Sequence, residues 1–260
     1  MILQELAEHA AKRVAEAKEN LCPEEMREAA LALPKGDFRF EAALRRPGMS
    51  FICEVKKASP SRGVISEEFP YRRIAREYED AGADCVSCLT EPKWFLGSDQ
   101  IFREIRAQLS LPMLRKDFTV EDYQLYEARC LGADCVLLIC ALLDTSALAR
   151  FLGICDGLGL CALVEAHSET EIRMASDAGA QMIGVNNRNL KDFTVDISHA
   201  VRLRDQIPPG AVFVAESGVQ SAEDVAALRR IGADAVLIGE ALMRAPDKGG
   251  LLSTFRKAVE

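Results

Sequence analysis

Histidine is nearly absent from this chain, with three residues (His9, His167 and His199) in 260. Their positions show no ligand spacing. Cys85 and Cys88 form a C-x-x-C that no second one follows, so no metal is expected. Both cysteines also fall inside an apparent strand, where residues i and i+3 point to opposite faces. No stretch approaches the roughly 18 apolar residues of a membrane span. The opening "MILQELAEHAAKRVAEAKEN" lacks the uninterrupted apolar core of a signal peptide and instead repeats Leu3, Leu6, Ala10 and Val14 at helical spacing. Positive charge is in deficit. The net charge of −8 and a pI near 5.2 argue against nucleic acid or an anionic membrane as the main partner. A small anionic substrate stays open, because a few lysines outweigh a diffuse negative surface at short range. The nine cysteines are odd in number and scattered through apolar segments. They are expected to be buried free thiols in a reducing, cytoplasmic compartment.

A repeated phrase is the clearest feature present. "AGADCVSCL" begins at Ala81, "LGADCVLLI" at Leu131, "AGAQMIGV" at Ala178 and "IGADAVLIG" at Ile231. Each follows a helix-like segment, with Gly82, Gly132, Gly179 and Gly232 at the helix C′ position. The spacing of about fifty residues suits two βα units. Intervening strands lie where that spacing demands, in "SFICEVK", "LPMLRKDF", "LCALVEA" and "AVFVAES". Eight alternating units predict an α/β chain, a single closed parallel (β/α)8 TIM barrel over 49–260. An open doubly wound sheet is the rival, but no G-x-G-x-x-G turn follows an early strand. Residues 1–48 stand outside the units as an N-terminal helical extension packed on the barrel, serving equally well as a plug below it or a flap above it.

In such a barrel the active site lies at the C-terminal strand ends. Those ends carry Glu54 and Lys56, Thr90 and Glu91, Lys116, Glu165, Asn186, Glu216 and Ser217, then Gly239 and Glu240. Only the fourth strand stays apolar. Buried charge is costly unless paired or used, and four such charges converging on one rim point to an enzyme. Glu91, beside Pro92, reads instead as a rim salt bridge, and Lys57 is expected to point away from the mouth. "SPSRG", "SGV" and "GEALM" are short loops suited to phosphate, with Ser59, Gly218 and Gly239 as candidates. Trp94, Phe95 and Phe118, with Pro60, Leu137 and Leu190, suggest an apolar slot for a planar ring.

"CEVKKASPSRG", "LRKDF", "LVEAH", "GVNNRNL", "VAESGV" and "LIGEALM" resemble the successive strand-end motifs of indole-3-glycerol phosphate synthases, in that family's order and spacing. The resemblance implies a tryptophan-pathway lyase. It would convert 1-(2-carboxyphenylamino)-1-deoxyribulose 5-phosphate to indole-3-glycerol phosphate, carbon dioxide and water, with no cofactor or metal. It implies Lys116 as the acid for ring closure and Glu165 as the base for dehydration. Lys56 would be a second acid or hold the substrate carboxylate, and Glu54 would orient the lysines. Asn186 and Glu216 would bind or polarise the intermediate, Ser217 falls in the site, and Arg188 matches the anthranilate-carboxylate contact. Such chemistry suggests a pocket dry enough to bring lysine pKa values down. Glu240 stands where some members carry serine, so its backbone N–H is expected to meet phosphate while its side chain turns away. Asn189 stands where many have aspartate. The chain ends soon after the eighth unit, so no fused isomerase or amidotransferase domain is expected, while contacts with other tryptophan-pathway enzymes stay open. A Schiff-base aldolase with Lys116 or Lys56 as nucleophile, and a non-catalytic phosphate sensor, are the two other readings.

Overall fold

Alternation along each β run decides the architecture. In "SFICEVK", Ile52 turns toward the apolar interior while Phe51, Cys53 and Val55 join the cluster beneath the helices. The same two-residue period runs through every barrel strand of the computed structural model, which describes residues 2–189 and 192–260. The strands are β1 (Ser50–Val55), β2 (Cys85–Leu89), β3 (Met113–Lys116), β4 (Cys135–Ile139), β5 (Cys161–Ala166), β6 (Met182–Asn186), β7 (Val212–Glu216) and β8 (Ala235–Ile238). Each pairs in parallel with the next, and β8 closes on β1 with Ser50 opposite Ala235. The chain is thus a closed (β/α)8 barrel with its core divided by the sheet. Cys85 faces inward and Cys88 outward, as period two requires.

The two-unit sequence repeat has a structural cause. Its glycines end helices with φ of 83°, 83°, 91° and 79° at Gly82, Gly132, Gly179 and Gly232. The aspartate that follows in three of the four phrases reaches back to the preceding strand. Asp84 accepts the N–H of Phe51, Asp134 that of Met113 and Asp234 that of Phe213, each at 2.8 Å. An aspartate before each of β2, β4 and β8 therefore caps the start of β1, β3 or β7. Repeating the motif every second unit pins the strands in pairs.

The extension serves both ends of the barrel. Helix α1 (Ile2–Asn20) crosses the C-terminal mouth, where Ile2, Leu3 and Leu6 wall the central cavity. One face of it is tied down by His9 to Glu91 (3.1 Å), Arg13 to Asp117 (2.6 and 3.0 Å) and Lys18 to Glu121. Helix α2 (Pro23–Ala32) packs on the helix Tyr123–Cys130. Helix α3 (Arg39–Leu44) then seals the floor. There Phe40 and Leu44 are buried in the barrel interior, and Arg39 clasps Asp134 at 2.6 and 2.8 Å. The backbone N–H of Glu41 meets Cys161 Sγ at 3.4 Å. Lid and plug are both present, in different helices.

All nine cysteines are free thiols, seven of them buried. Among the described residues no helix is long and apolar enough to cross a membrane.

Arg13 and Asp117 form a nearly buried pair, whereas Lys18 and Glu121 are about one-third exposed or more. Removing one partner of a buried pair strands the other charge. Arg13→Met should therefore cost on the order of 2–4 kcal/mol in urea denaturation, and Lys18→Ala less than about 1 kcal/mol.

Candidate active site

Parity brings the charged strand ends together. Glu54, Lys116, Glu165, Asn186 and Glu216 lie in phase with the inward residues Ile52, Leu114, Leu163, Met182 and Val214, and all five line the cavity at the barrel mouth. Lys56, one residue past β1, lines it as well, and Lys57 does not. Lys56 Nζ donates to Glu54 at 2.5 Å, and Ser87 Oγ donates to the other Glu54 oxygen at 3.4 Å. Lys116 Nζ stands 3.5 Å from Glu216 and 3.8 Å from Glu165.

Three carboxylates and two ammoniums leave one negative charge in excess, in a place nearly closed to water. The excess falls on Glu216, whose oxygens are buried without a hydrogen-bond partner. Burial, reinforced by Glu165 and Glu54 against the opposing pull of Lys116, pushes its carboxyl up to about 7. Glu54 moves the other way. Burial alone would raise it, but Lys56 and Lys116 hold it below the usual carboxylate range. Burial also pulls the Lys116 ammonium down, yet Glu216, Glu165 and Glu54 outweigh that and lift it above an ordinary lysine. The expected lowering of lysine pKa is thus overturned: the carboxylates outnumber the ammoniums, so Lys116 is held protonated.

Glycine makes room for this cluster. A side chain on Gly184, on the inner face of β6, would run into the Glu216 carboxylate, and one on Gly239 would meet Glu54 and Lys56. Toward β7 and β8 the cavity continues into a pocket formed by Ser217, Gly218, Gly239 and Glu240, with Lys56, Arg62 and Arg188 alongside. Ser217 and Gly218 have φ of 64° and 93°, and glycine suits the second of these left-handed positions. On the opposite wall Phe95 and Phe118 sit 6.0 Å apart with their rings tilted by 43°. Ser59, Pro60, Leu137 and Leu237 complete a cleft of about 910 Å³ including its open mouth.

The mouth thus joins two ammoniums and three carboxylates to an apolar wall and to a pocket flanked by cations. The model of the family described as indole-3-glycerol phosphate synthase matches residues 3–254. The indole-3-glycerol phosphate synthase of Ruminiclostridium cellulolyticum is 53% identical over 257 residues, covering 98% of this chain and 99% of that one. That of Endomicrobium trichonymphae is 48% identical over 94% of this chain and 95% of its own. The chain belongs to the indole-3-glycerol phosphate synthase family. It is accordingly a carboxy-lyase of tryptophan biosynthesis. Solved structures add the fold alone. A 3-hexulose-6-phosphate synthase from Salmonella typhimurium superposes with a TM-score of 0.66 at 14% identity, covering 81% of this chain and 98% of its own. The tryptophan synthase alpha subunit of Legionella pneumophila gives 0.61 at 14%, with 85% and 97% covered.

Two expectations for this family member change with the structure. Trp94 leaves the slot. Its ring meets His9 of α1 edge-on at 5.4 Å and lies under the Lys93 ammonium at 4.2 Å. The loop turns it because buried Glu91 accepts the N–H groups of Lys93, Trp94 and Phe95. The Glu240 side chain does not turn away from the cleft. It lines the cavity and draws Arg62 and Arg244 to 3.2 Å and Arg188 to 3.9 Å. Three guanidiniums offset its charge there. Leu190 lies outside the described residues. Arg188 lines the cavity too, held by Ser61 Oγ and the Phe193 carbonyl, each at 3.3 Å.

Sequence reasoning missed Ser87, opposite Glu54 on β2, and His167, whose Nε2 is 3.5 Å from Glu165. The inward parity of Ser87 was available as a signal. His167 had none, since it lies beyond the end of β5.

Glu216 binds its proton more tightly in the folded chain than in the unfolded one, so its share of stability falls as pH rises from about 4.5 through 7. Glu216→Gln should therefore melt higher than the parent at pH 8, by on the order of 1–3 kcal/mol. The difference should vanish near pH 4 in a thermal melt series. Gly184→Ala should displace Glu216 and lower kcat by about tenfold or more, checked in a steady-state assay.

Proposed function

We propose that the chain closes 1-(2-carboxyphenylamino)-1-deoxyribulose 5-phosphate to indole-3-glycerol phosphate, releasing carbon dioxide and water. The observation that carries this reading is Lys116, a partly buried ammonium held between Glu165 and Glu216, at the junction of an apolar slot and an anion pocket. Ring closure needs a proton delivered to a ketone oxygen as an aromatic carbon attacks. Lys116 is kept charged by its carboxylates and so arrives loaded as that acid. Decarboxylation restores the bond pattern at the attacked carbon. Dehydration then needs a proton removed from carbon while a hydroxyl leaves with another. Glu165 is the base, and Lys56 or Lys116 supplies the acid.

The remaining residues divide by what they face. Glu54 holds Lys56 and, through its charge, orients Lys116. Asn186 and Glu216 bind or polarise the intermediate, with Glu216 able to accept or donate near neutrality. Arg188 meets the anthranilate carboxylate, while Pro60, Phe95, Phe118 and Leu137 clasp the ring. Ser59, Ser217, Gly218, Gly239 and the Glu240 backbone N–H receive the phosphate. A Schiff-base aldolase needs a free amine, and the raised affinity of Lys116 for its proton disfavours it.

Incubation with the carboxyphenylamino-deoxyribulose phosphate should produce indole fluorescence, and its absence at high enzyme concentration would defeat the reading. Lys116→Ala should lower kcat by about 10²–10⁴-fold with KM changed only a few-fold, since the apolar slot and anion pocket are untouched. Near-normal turnover would remove Lys116 from its role.

A further inference from the structure

The mouth cavity has a neighbour. A second cleft, about 1270 Å³ including its mouth, opens beside it and is lined by His167, Ser168, Glu171, Asn187, His199 and Arg202 among others. The two share Leu3, Asn186 and Arg188. Glu165 belongs to the first and Glu171 to the second. His167 stands between them, with Nε2 3.5 Å from Glu165 Oε1 and Nδ1 3.6 Å from Glu171 Oε2. Both ring nitrogens are shielded from solvent and neither has a hydrogen-bond partner. A structural histidine at this depth would normally be satisfied. This one has a carboxylate a few tenths of an ångström beyond hydrogen-bond reach on each side.

The backbone fixes the ring's position. The N–H of His167 donates to Glu171 at 2.6 Å, and its carbonyl meets His199 Nε2 at 3.0 Å. Ser168 caps the helix that carries Glu171. Arg202 lies 3.4 Å from His199 Nδ1, so Nδ1 accepts from the guanidinium and Nε2 carries the proton given to the His167 carbonyl.

We infer that His167 is a relay residue that carries protons between Glu165 and the second cavity. This rests on the reading of Glu165 as the base in dehydration. Glu165 takes a proton from the intermediate's carbon and passes it to Nε2 of neutral His167. Nδ1 gives its own proton to Glu171. Glu165 is again a carboxylate, the ring is neutral before and after, and Glu171 releases the proton to water in the second cleft. After product leaves, Nε2 returns its proton through Glu165 to solvent in the emptied mouth while Nδ1 takes one back through Glu171, which restores the starting tautomer. The groups facing the ring set its response to pH. Burial lowers its affinity for a second proton, but Glu171, Glu165 and Glu216 together raise it. His199 is itself driven toward neutrality, chiefly by burial and also by Arg202.

The test is single-turnover kinetics with the carboxyphenylamino-deoxyribulose phosphate, which removes product release from the readout. His167→Ala should slow the dehydration phase about ten- to a hundredfold and leave KM within about twofold. Added imidazole should restore rate in proportion to its free base, while the parent enzyme should not respond. His167→Gln, which fills the space without titrating, should remain slow. Glu171→Gln keeps the acceptor for the His167 N–H and should slow the same phase, so the relay can be tested even where a His167 variant folds poorly. Unaltered dehydration in well-folded His167→Gln, or slow His167→Ala that imidazole leaves slow, would overturn the relay. Glu165→Gln separates the two ideas. If that variant still dehydrates its substrate at the parent rate, the assignment of the base falls, whatever His167 does.

Discussion

One ammonium organises the mouth of this barrel. Lys116, on the inward face of β3, must answer Glu165 on β5, Glu216 on β7 and, at longer range, Glu54 on β1. None of those carboxylates has the solvent to stand alone. Remove the ammonium and three anions face each other in a low-dielectric space, where repulsion far exceeds its value in water. Lys56 relieves one of the three directly. The imbalance that remains raises the affinity of Glu216 for a proton. The geometry that makes the site reactive is therefore the geometry that makes it electrically tolerable.

The surrounding structure serves that cluster. Gly184 and Gly239 withdraw side chains to let it form. On the outward face of β3, the neighbouring Arg115 is fully buried and pairs with Asp99 at 3.0 Å and Glu127 at 2.7 Å. Asp117, one residue further, holds Arg13 of α1 and accepts from Thr90 at 2.6 Å. Three consecutive charged residues thus point to the helix layer, the cavity and the lid. Each is neutralised by a different element, so the backbone of "RKD" is held from three directions.

Much of this was legible in the chain. The recurring glycine phrase marked every second strand, and strict two-residue alternation told inward from outward. Glu54, Lys56, Lys116, Glu165, Asn186 and Glu216 could therefore be placed on one rim, and Lys57 off it, without coordinates. What escaped reading depended on where loops turn. Trp94 sits one residue before Phe95, yet the Glu91 carboxylate folds the loop so that only Phe95 faces the ring slot. His167 lies past the last residue of β5, where strand parity no longer applies, and its partners come from the next helix. The sign of the lysine shift failed for another reason. It depends on how many carboxylates surround one ammonium in space, and a list of strand ends supplies the members without their distances. The extension divided evenly between lid and plug because composition does not say that one segment is long enough to do both.

That extension also bears on how the site comes into being. The Arg13–Asp117 clasp joins residues 104 apart, and the Glu41–Cys161 contact at the floor joins residues 120 apart. The barrel closes only when β8 meets β1. Contacts so distant in sequence form late and slowly, because loop entropy must be overcome before they stabilise anything. Leu3 and Leu6 complete the cavity wall from a segment far in sequence from the third and fifth strands. A partly folded chain would hold its three carboxylates in an open, wet mouth, where none of their affinities for protons is yet shifted. Acid–base competence in this protein thus depends on contacts between distant parts of the chain, since α1 supplies part of the wall that shields the carboxylates.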